Sequence, residues 1–305
     1  MRLIPTVVAV EGGEVVLRIA VTGANGQLGG QVVRLLAHQQ QHDVVALVRR
    51  KVQGESRTPR VSVASAEYSD QAALRSALRD VNTLVFISSD GDATNVLLHH
   101  QNVIAAAAAN GVAHVVALSS VDADIDSPFC YAVTNGHTER LLHDSGCGVS
   151  VARASIYTEF FLRWLTLARI TGEIRLPAGD GRISLVSRTD VGRCLAALAL
   201  APPTGQYHDL TGPEGLDLAA IAALTGEEFG RHVRYTEVTP RDHCKEMAEA
   251  GEEPWWMYAF STMFESVRQG RWSAVSDEVA RLTGRRPLSI RDVLAERPTP
   301  SRQPT

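Results

Sequence analysis

The 305-residue sequence predicts an α/β protein, a doubly wound parallel sheet with helices on both faces and a smaller C-terminal α+β lobe. Three observations predict it. Short apolar runs alternate with stretches of helical periodicity over the first 120 residues or so, which calls for right-handed strand–helix–strand crossovers. A glycine string, Gly23-Ala24-Asn25-Gly26-Gln27-Leu28-Gly29, stands where the first such run turns into the first helix. The length exceeds that of a usual single domain, and with 45% hydrophobic residues the chain can bury a sizeable core.

Each element carries its own signal. LRIAVTG, from Leu17, is a short apolar run ending in glycine, as buried parallel strands are. QLGGQVVRLLAHQQ places apolar residues at helical spacing. HDVVALVRR is a second strand, VSVASAEYSD ends a third, QAALRSALRD is a helix and VNTLVFISSD a fourth strand. NVLLHHQNVIAAAAANGV is a helix stopped by Asn110-Gly111, and HVVALSS is the fifth strand. A helix from about Ala132 to Asp144 leads into GVSVARASIY, the sixth strand. Beyond it the regularity weakens. Helical patterns remain at EFFLRWLTLARI, DVGRCLAALALA and LDLAAIAAL, with short strands near RISLVS, GQYHDLTG and VRYTEVT. Residues 254–272 gather 6 of the chain's 17 aromatics, Trp255 and Trp256 among them, which marks a packed or ligand-covering segment. The expected division is an N-terminal extension over 1–16, a nucleotide-binding domain over 17–155, a smaller substrate lobe over 156–295 partly interleaved with the sheet, and a Pro-rich disordered tail over 296–305.

Composition narrows the function. A formal charge of −4 gives no electrostatic reason to bind nucleic acid or a membrane surface. No stretch approaches the roughly 18 to 20 apolar residues of a membrane span. Four scattered cysteines without a C-x-x-C suggest neither a disulfide framework nor zinc, so a cytoplasmic protein with reduced thiols is expected. Adjacent helix residues diverge by about 100°, so His99-His100 is a poor metal site and reads as surface, and no metal is expected. His208-Asp209 has no serine nucleophile at a recognisable elbow, which leaves hydrolase chemistry without a motif.

The glycines carry the chemistry. A tight turn, a close backbone approach to a pyrophosphate and close helix–strand packing each demand glycine, and the phosphates then sit on free N–H groups at the positive end of the helix. The residue about 20 positions after the last glycine reads the ribose. Counting from Gly29 reaches Arg49, whose guanidinium suits the 2′-phosphate of NADP(H), so NADPH is favoured over NADH. From Arg49 to Arg60 five basic residues face Glu55 as the one acid, a local charge of +4 inside an acidic chain. Short-chain dehydrogenases usually pair tyrosine and lysine in a Tyr-x-x-x-Lys, where the lysine lowers the tyrosine pKa. Here the pattern reads Tyr131-Ala-Val-Thr-Asn135, and Asn135 cannot act through charge. Tyr131 and Asn135 are nevertheless the catalytic candidates. Ser119 and Ser120 close the fifth strand on the nicotinamide side, where a serine pair is just as often a cap or turn.

Taken in order, TGANGQLGG, ALVRR, FISS at 86–89, NVIAAAAANGV, ALSS, the SPF…HTERLL segment at 127–142, VARAS and RTDVGRCLAALAL resemble the NmrA-like group of atypical short-chain dehydrogenases, in particular its NADPH-dependent quinone oxidoreductases. The resemblance spans residues 17–295. It implies a Rossmann nucleotide-binding domain, a second lobe closing over the nicotinamide and a slot for a flat quinone-like acceptor. Phosphate contacts then fall on Gly23, Asn25, Gly26, Gln27, Leu28 and Gly29, with the 2′-phosphate on Arg49 and the nicotinamide side on Ile87, Ser88 and Ser89. Thr22 and Ser119 complete the cofactor set. Tyr157, Phe161 and Trp255 are the expected substrate contacts. Asn135 stands where the group often has histidine and Phe160 where it often has asparagine, departures that touch substrate identity more than the cofactor. Direct hydride transfer to a quinone needs mainly proximity and orientation, which tolerates the missing lysine. Two other roles fit the same residues: an NADP(H)-binding redox sensor, and a reductase or isomerase tailoring step in secondary metabolism. A small aromatic acceptor is the expected partner, and a homodimer is left open.

Overall fold

The computed structural model describes residues 16–50, 58–89 and 91–296. Residues 1–15 of the expected extension, Lys51 and Arg57 of the basic run, and the tail beyond Glu296 lie outside the described residues.

The chain runs β1 (Arg18–Val21), α1 (Gln27–His38), β2 (Asp43–Val48), β3 (Val61–Ser65), α2 (Gln71–Ala77), β4 (Thr83–Phe86), α3 (Ala93–Ala109), β5 (His114–Ser120), α4 (Cys130–His143) and β6 (Gly148–Ala154). It continues with α5 (Thr158–Thr171), β7 (Glu173–Leu176), β8 (Arg182–Ile183), α6 (Arg188–Leu200), β9 (Tyr207–Leu210), β10 (Leu216–Asp217), α7 (Leu218–Phe229), β11 (Arg234–Glu237), α8 (Pro240–Glu249), α9 (Pro254–Arg268), α10 (Glu278–Thr283) and α11 (Ile290–Ala295).

Seven strands form one parallel sheet in the order β3-β2-β1-β4-β5-β6-β9. The strand order reverses between β1 and β4, and the crevice outside the carboxyl ends at such a reversal is where doubly wound sheets bind ligands. Side-chain alternation builds a core on each face. Ile19 and Val21 of β1 face Val32 and Leu36 of α1 and Val191 and Leu195 of α6, whereas Ala20 faces Leu74 of α2 and Val103 of α3. These residues are buried almost completely, and each large aliphatic side chain contributes about 1.5–3 kcal/mol on leaving water.

A third core lies beyond the sheet, where α5, α7 and α9 enclose β7 and β8, with Phe161, Leu165, Ile174, Phe264 and Trp272 at its centre. The chain does not finish the sheet before starting this region. After β7 and β8 it returns as α6, which packs on α1, and as β9, which pairs with β6. Sequence patterns miss β7 and α8. In α8 only His243 and Met247 are buried, so no apolar periodicity announces the helix, although Thr239 caps it and Pro240 starts it. The aromatic stretch proves to be largely one helix, α9, opened by Pro254.

Candidate active site

The glycine loop has the geometry that its composition implies. Gly23 sits at φ +61°, the left-handed region, and its carbonyl accepts the Gly26 N–H at 2.8 Å. A Cβ on Gly29 would meet Gly23 O at 2.3 Å and Gly23 C at 2.6 Å, so glycine is required there for α1 to lie against the loop. Gly26 caps α1 with no side-chain hydrogen bond, and the first turn holds no acidic residue. The N–H groups of that turn therefore remain available to an anion, which fits a dinucleotide diphosphate.

Not every residue of the expected cofactor set reaches the cleft. Thr22 is buried, and its hydroxyl accepts from the Ile87 N–H at 2.8 Å and lies 3.3 Å from Ile87 O, so it ties β1 to the end of β4. Leu28 packs in the sheet core. Gly23, Arg49, Ile87, Ser88 and Ser89 all line one groove of about 280 Å³, together with Glu67, Tyr68 and His99. Arg60, from the far end of the basic run, instead pairs with Asp43 at 3.2 Å. Tyr68 was not foreseen. Its hydroxyl donates to Ile87 O at 3.0 Å, and burial pushes its pKa up to about 12.

His100 corrects the surface reading of the histidine pair. It is fully buried: its Nε2 accepts the Ser89 N–H at 3.1 Å, which leaves the proton on Nδ1 to be donated to Thr138 Oγ1 at 2.7 Å. The Thr138 hydroxyl in turn donates to Thr134 O at 2.7 Å. Burial, reinforced by neighbouring His99, lowers the His100 pKa to about 4, so the ring is neutral and holds the Ser88–Ser89 turn. The Ser89 hydroxyl oxygen is itself buried without a partner among the described residues. Such an orphaned group is costly in a finished interior, and it lies on the wall common to the groove and a second cavity.

The second cavity holds about 270 Å³ and is lined by residues of both the sheet and the third core. Among the described residues, no ionisable acid or base of Asp, Glu, His, Lys or Arg type lines it. Phe129, Tyr131, Tyr157, Phe160, Trp256 and Phe260 supply its aromatic walls, with the Trp256 and Phe260 rings stacked at 5.7 Å and 26°. Two of the residues expected as substrate contacts do not line this cavity, and the residue next to each does. Phe161 is completely buried in the third core and Phe160 takes the cavity position; Trp255 stands outside the wall that Trp256 forms. Tyr157 does line the cavity, and burial raises its pKa.

Polar groups enter the cavity in fixed directions. Ser119 Oγ donates to Glu139 Oε1 at 2.6 Å, and Arg153 holds Glu139 through both oxygens. With its single proton committed, Ser119 can only accept from a ligand. Asn135 Nδ2 donates to Ser120 Oγ at 3.2 Å, which leaves the Ser120 proton to be donated elsewhere. Tyr131 points its hydroxyl at the loop after β4, donating to Gly91 O at 3.1 Å and accepting from Gly91 N and Trp255 Nε1. A Tyr131→Phe variant is expected to lower kcat less than tenfold and to leave the pH profile of turnover unchanged. Loss of one pH limb in steady-state kinetics would instead make Tyr131 the proton donor.

Comparisons with known proteins agree with this geometry. The NAD(P)H-binding family matches residues 23–202. Quinone oxidoreductase 2 of Escherichia coli is 33% identical over 236 residues, 76% of this chain and 82% of the relative. The (4-alkanoyl-5-oxo-2,5-dihydrofuran-3-yl)methyl phosphate reductase of Streptomyces griseus is 31% identical over 91% of this chain and 97% of its own length. The solved structure of the NADPH-dependent quinone oxidoreductase of Escherichia coli complexed with NADPH superposes with a TM-score of 0.82 at 28% identity, covering 91% of this chain and 98% of the other. Family match, sheet order and glycine loop together make this chain a member of the NAD(P)H-binding family, in its NmrA-like branch of atypical short-chain dehydrogenases.

Proposed function

We propose that the protein is an NADPH-dependent oxidoreductase acting on a flat, uncharged, conjugated carbonyl compound such as a quinone. The observation that carries this reading is the junction at Ser88–Ser89, where a groove suited to a dinucleotide meets an aromatic cavity without charged side chains. The relative's quinone reductase activity supports the acceptor class. The Streptomyces relative's phosphate ester is the less favoured alternative, because no cation lines the cavity to receive a phosphate.

Bound NADPH would supply the hydride. Residues of the chain do the rest: the aromatic walls orient a planar acceptor and exclude water, Ser120 donates a hydrogen bond toward a carbonyl oxygen, and Ser119 accepts one from a ligand N–H or O–H. The remaining proton comes from solvent, since a hydroquinone oxygen needs no strong acid to be protonated. In the groove, Glu67 offers an acceptor for an exocyclic amine and Arg49 a cation for a 2′-phosphate.

Following NADPH oxidation with a panel of quinones, enones and azo dyes tests the proposal, and turnover of at least one quinone is expected. Tight nucleotide binding with no acceptor consumed would overturn it in favour of a redox sensor. Arg49→Asp is expected to weaken NADPH binding at least tenfold and NADH binding by less than threefold, by fluorescence titration. An equal loss for both nucleotides would refute the 2′-phosphate assignment.

A further inference from the structure

We propose that Arg188 is the cationic contact for the diphosphate of the bound dinucleotide, the part that NADH and NADPH share; the inference rests on the cofactor reading above. Arg188 opens α6, which returns to the sheet beside α1. Its guanidinium is held from two sides. Nη1 donates to Gln27 Oε1 at 2.9 Å, which places it beside the glycine loop, and Cζ stands 5.1 Å from the centre of the Tyr157 ring, which lines the cavity. A side chain touching both the loop and that ring lies along the strip joining the first turn of α1 to the cavity.

The Arg188 charge has no carboxylate partner among the described residues, whereas Arg153, Arg193, Arg271 and Arg281 are each ion-paired. Glu159, the acid that touches Arg188, directs both oxygens to the Arg188 backbone N–H, at 3.0 and 2.9 Å. A guanidinium on a partly buried residue, with a neutral amide and an aromatic ring for neighbours, is a site waiting for an anion. The uncapped first turn of α1 independently presents N–H groups to the same region. Arg188 does not itself line the aromatic cavity, which assigns its charge to the nucleotide and not to a phosphate-bearing acceptor.

The test measures dissociation constants for NADPH and NADH by fluorescence titration on the wild type and on Arg188→Gln, Arg188→Lys and Gln27→Glu. Arg188→Gln is expected to weaken both nucleotides by the same factor, between about tenfold and a hundredfold, the loss of one charge-assisted contact. Arg188→Lys should recover part of it, and Gln27→Glu, which sets a carboxylate against the guanidinium, should weaken both again. Unchanged affinity for both nucleotides overturns the proposal. So does a loss confined to NADPH, which would place Arg188 at the 2′-phosphate, or unchanged affinity with a raised KM for a phosphate-bearing acceptor. Should Arg188→Gln fail to fold by circular dichroism, Gln27→Glu decides alone, and unchanged affinity in that variant overturns the assignment. A wild-type protein that binds neither nucleotide would refute the cofactor reading itself, a result distinct from binding that ignores Arg188.

Discussion

Gly29→Ala is expected to abolish measurable nucleotide binding and to lower stability by about 2–4 kcal/mol. The added Cβ would have to share space with the backbone of Gly23, whose O and C lie 2.3 and 2.6 Å away. No rotamer relieves a clash between a methyl group and main chain, so α1 must move off the loop. That movement costs twice. It loosens Val32 and Leu36 from the sheet core, and it carries the free N–H groups of the first turn away from the anion they would bind. Urea unfolding monitored by circular dichroism, paired with an NADPH titration, measures both losses. A variant with wild-type midpoint and affinity would show that the loop tolerates a side chain and would remove the physical basis of the glycine argument.

Acid should begin to destabilise the protein above the range in which carboxylates protonate. His100 and His114 are buried, and desolvation lowers both from 6.5 to about 4. His243 is lowered too by burial: neither ring nitrogen has a partner among the described residues, its ring meets Phe264 edge-on at 5.6 Å, and nearby Glu246 and Arg163 act in opposite directions. All three are neutral when folded and bind protons on unfolding. Their contribution is therefore complete above the unfolded value of 6.5 and disappears as pH falls toward the folded values. By pH 4.5, His100 and His114 alone remove about 5 kcal/mol, comparable with the whole stability of many domains. The carboxylates with lowered pKa, Asp124, Glu278 and Asp292, act in the same direction at still lower pH. Urea midpoints measured from pH 7 to 4.5 should fall steeply, and less steeply in His114→Gln. A flat profile over that window would contradict the buried neutral histidines.

How much of this was legible in the sequence depends on distance along the chain. The parallel sheet was readable because buried strands such as β1 and β2 are uninterrupted apolar runs, and β1 is followed by α1, a helix of clear period. The tight turn that opens α1 was readable because Gly23, Gly26 and Gly29 act locally. The lining of the aromatic cavity was not. Adjacent residues on α5 and α9 diverge by about 100°, so choosing Phe160 over Phe161 or Trp256 over Trp255 requires knowing which face β7 and β8 occupy, and β7 has no signal of its own. The spacing of Trp256, Phe260 and Met263 did contain the phase of α9, had the stretch been treated as a helix. The burial of His100 was not legible because its partners Phe86, Ser89 and Thr138 lie on other elements. Arg188 was beyond reach for the same reason, as its contact with Gln27 joins residues 161 positions apart.

The return of the chain to the sheet as α6 and β9 bears on how such enzymes can be recombined. A crossover placed at residue 155 would strip the edge strand from β6 and uncover the face on which Val191, Leu195 and Leu198 pack. Exchanging acceptor preference between relatives therefore means grafting two discontinuous pieces, one on either side of α6 and β9, while the intervening stretch stays with its own sheet. Arg188 lies at the first of those seams. A chimera that moved it with the wrong partner would separate it from the Gln27 and Tyr157 beside which it stands here.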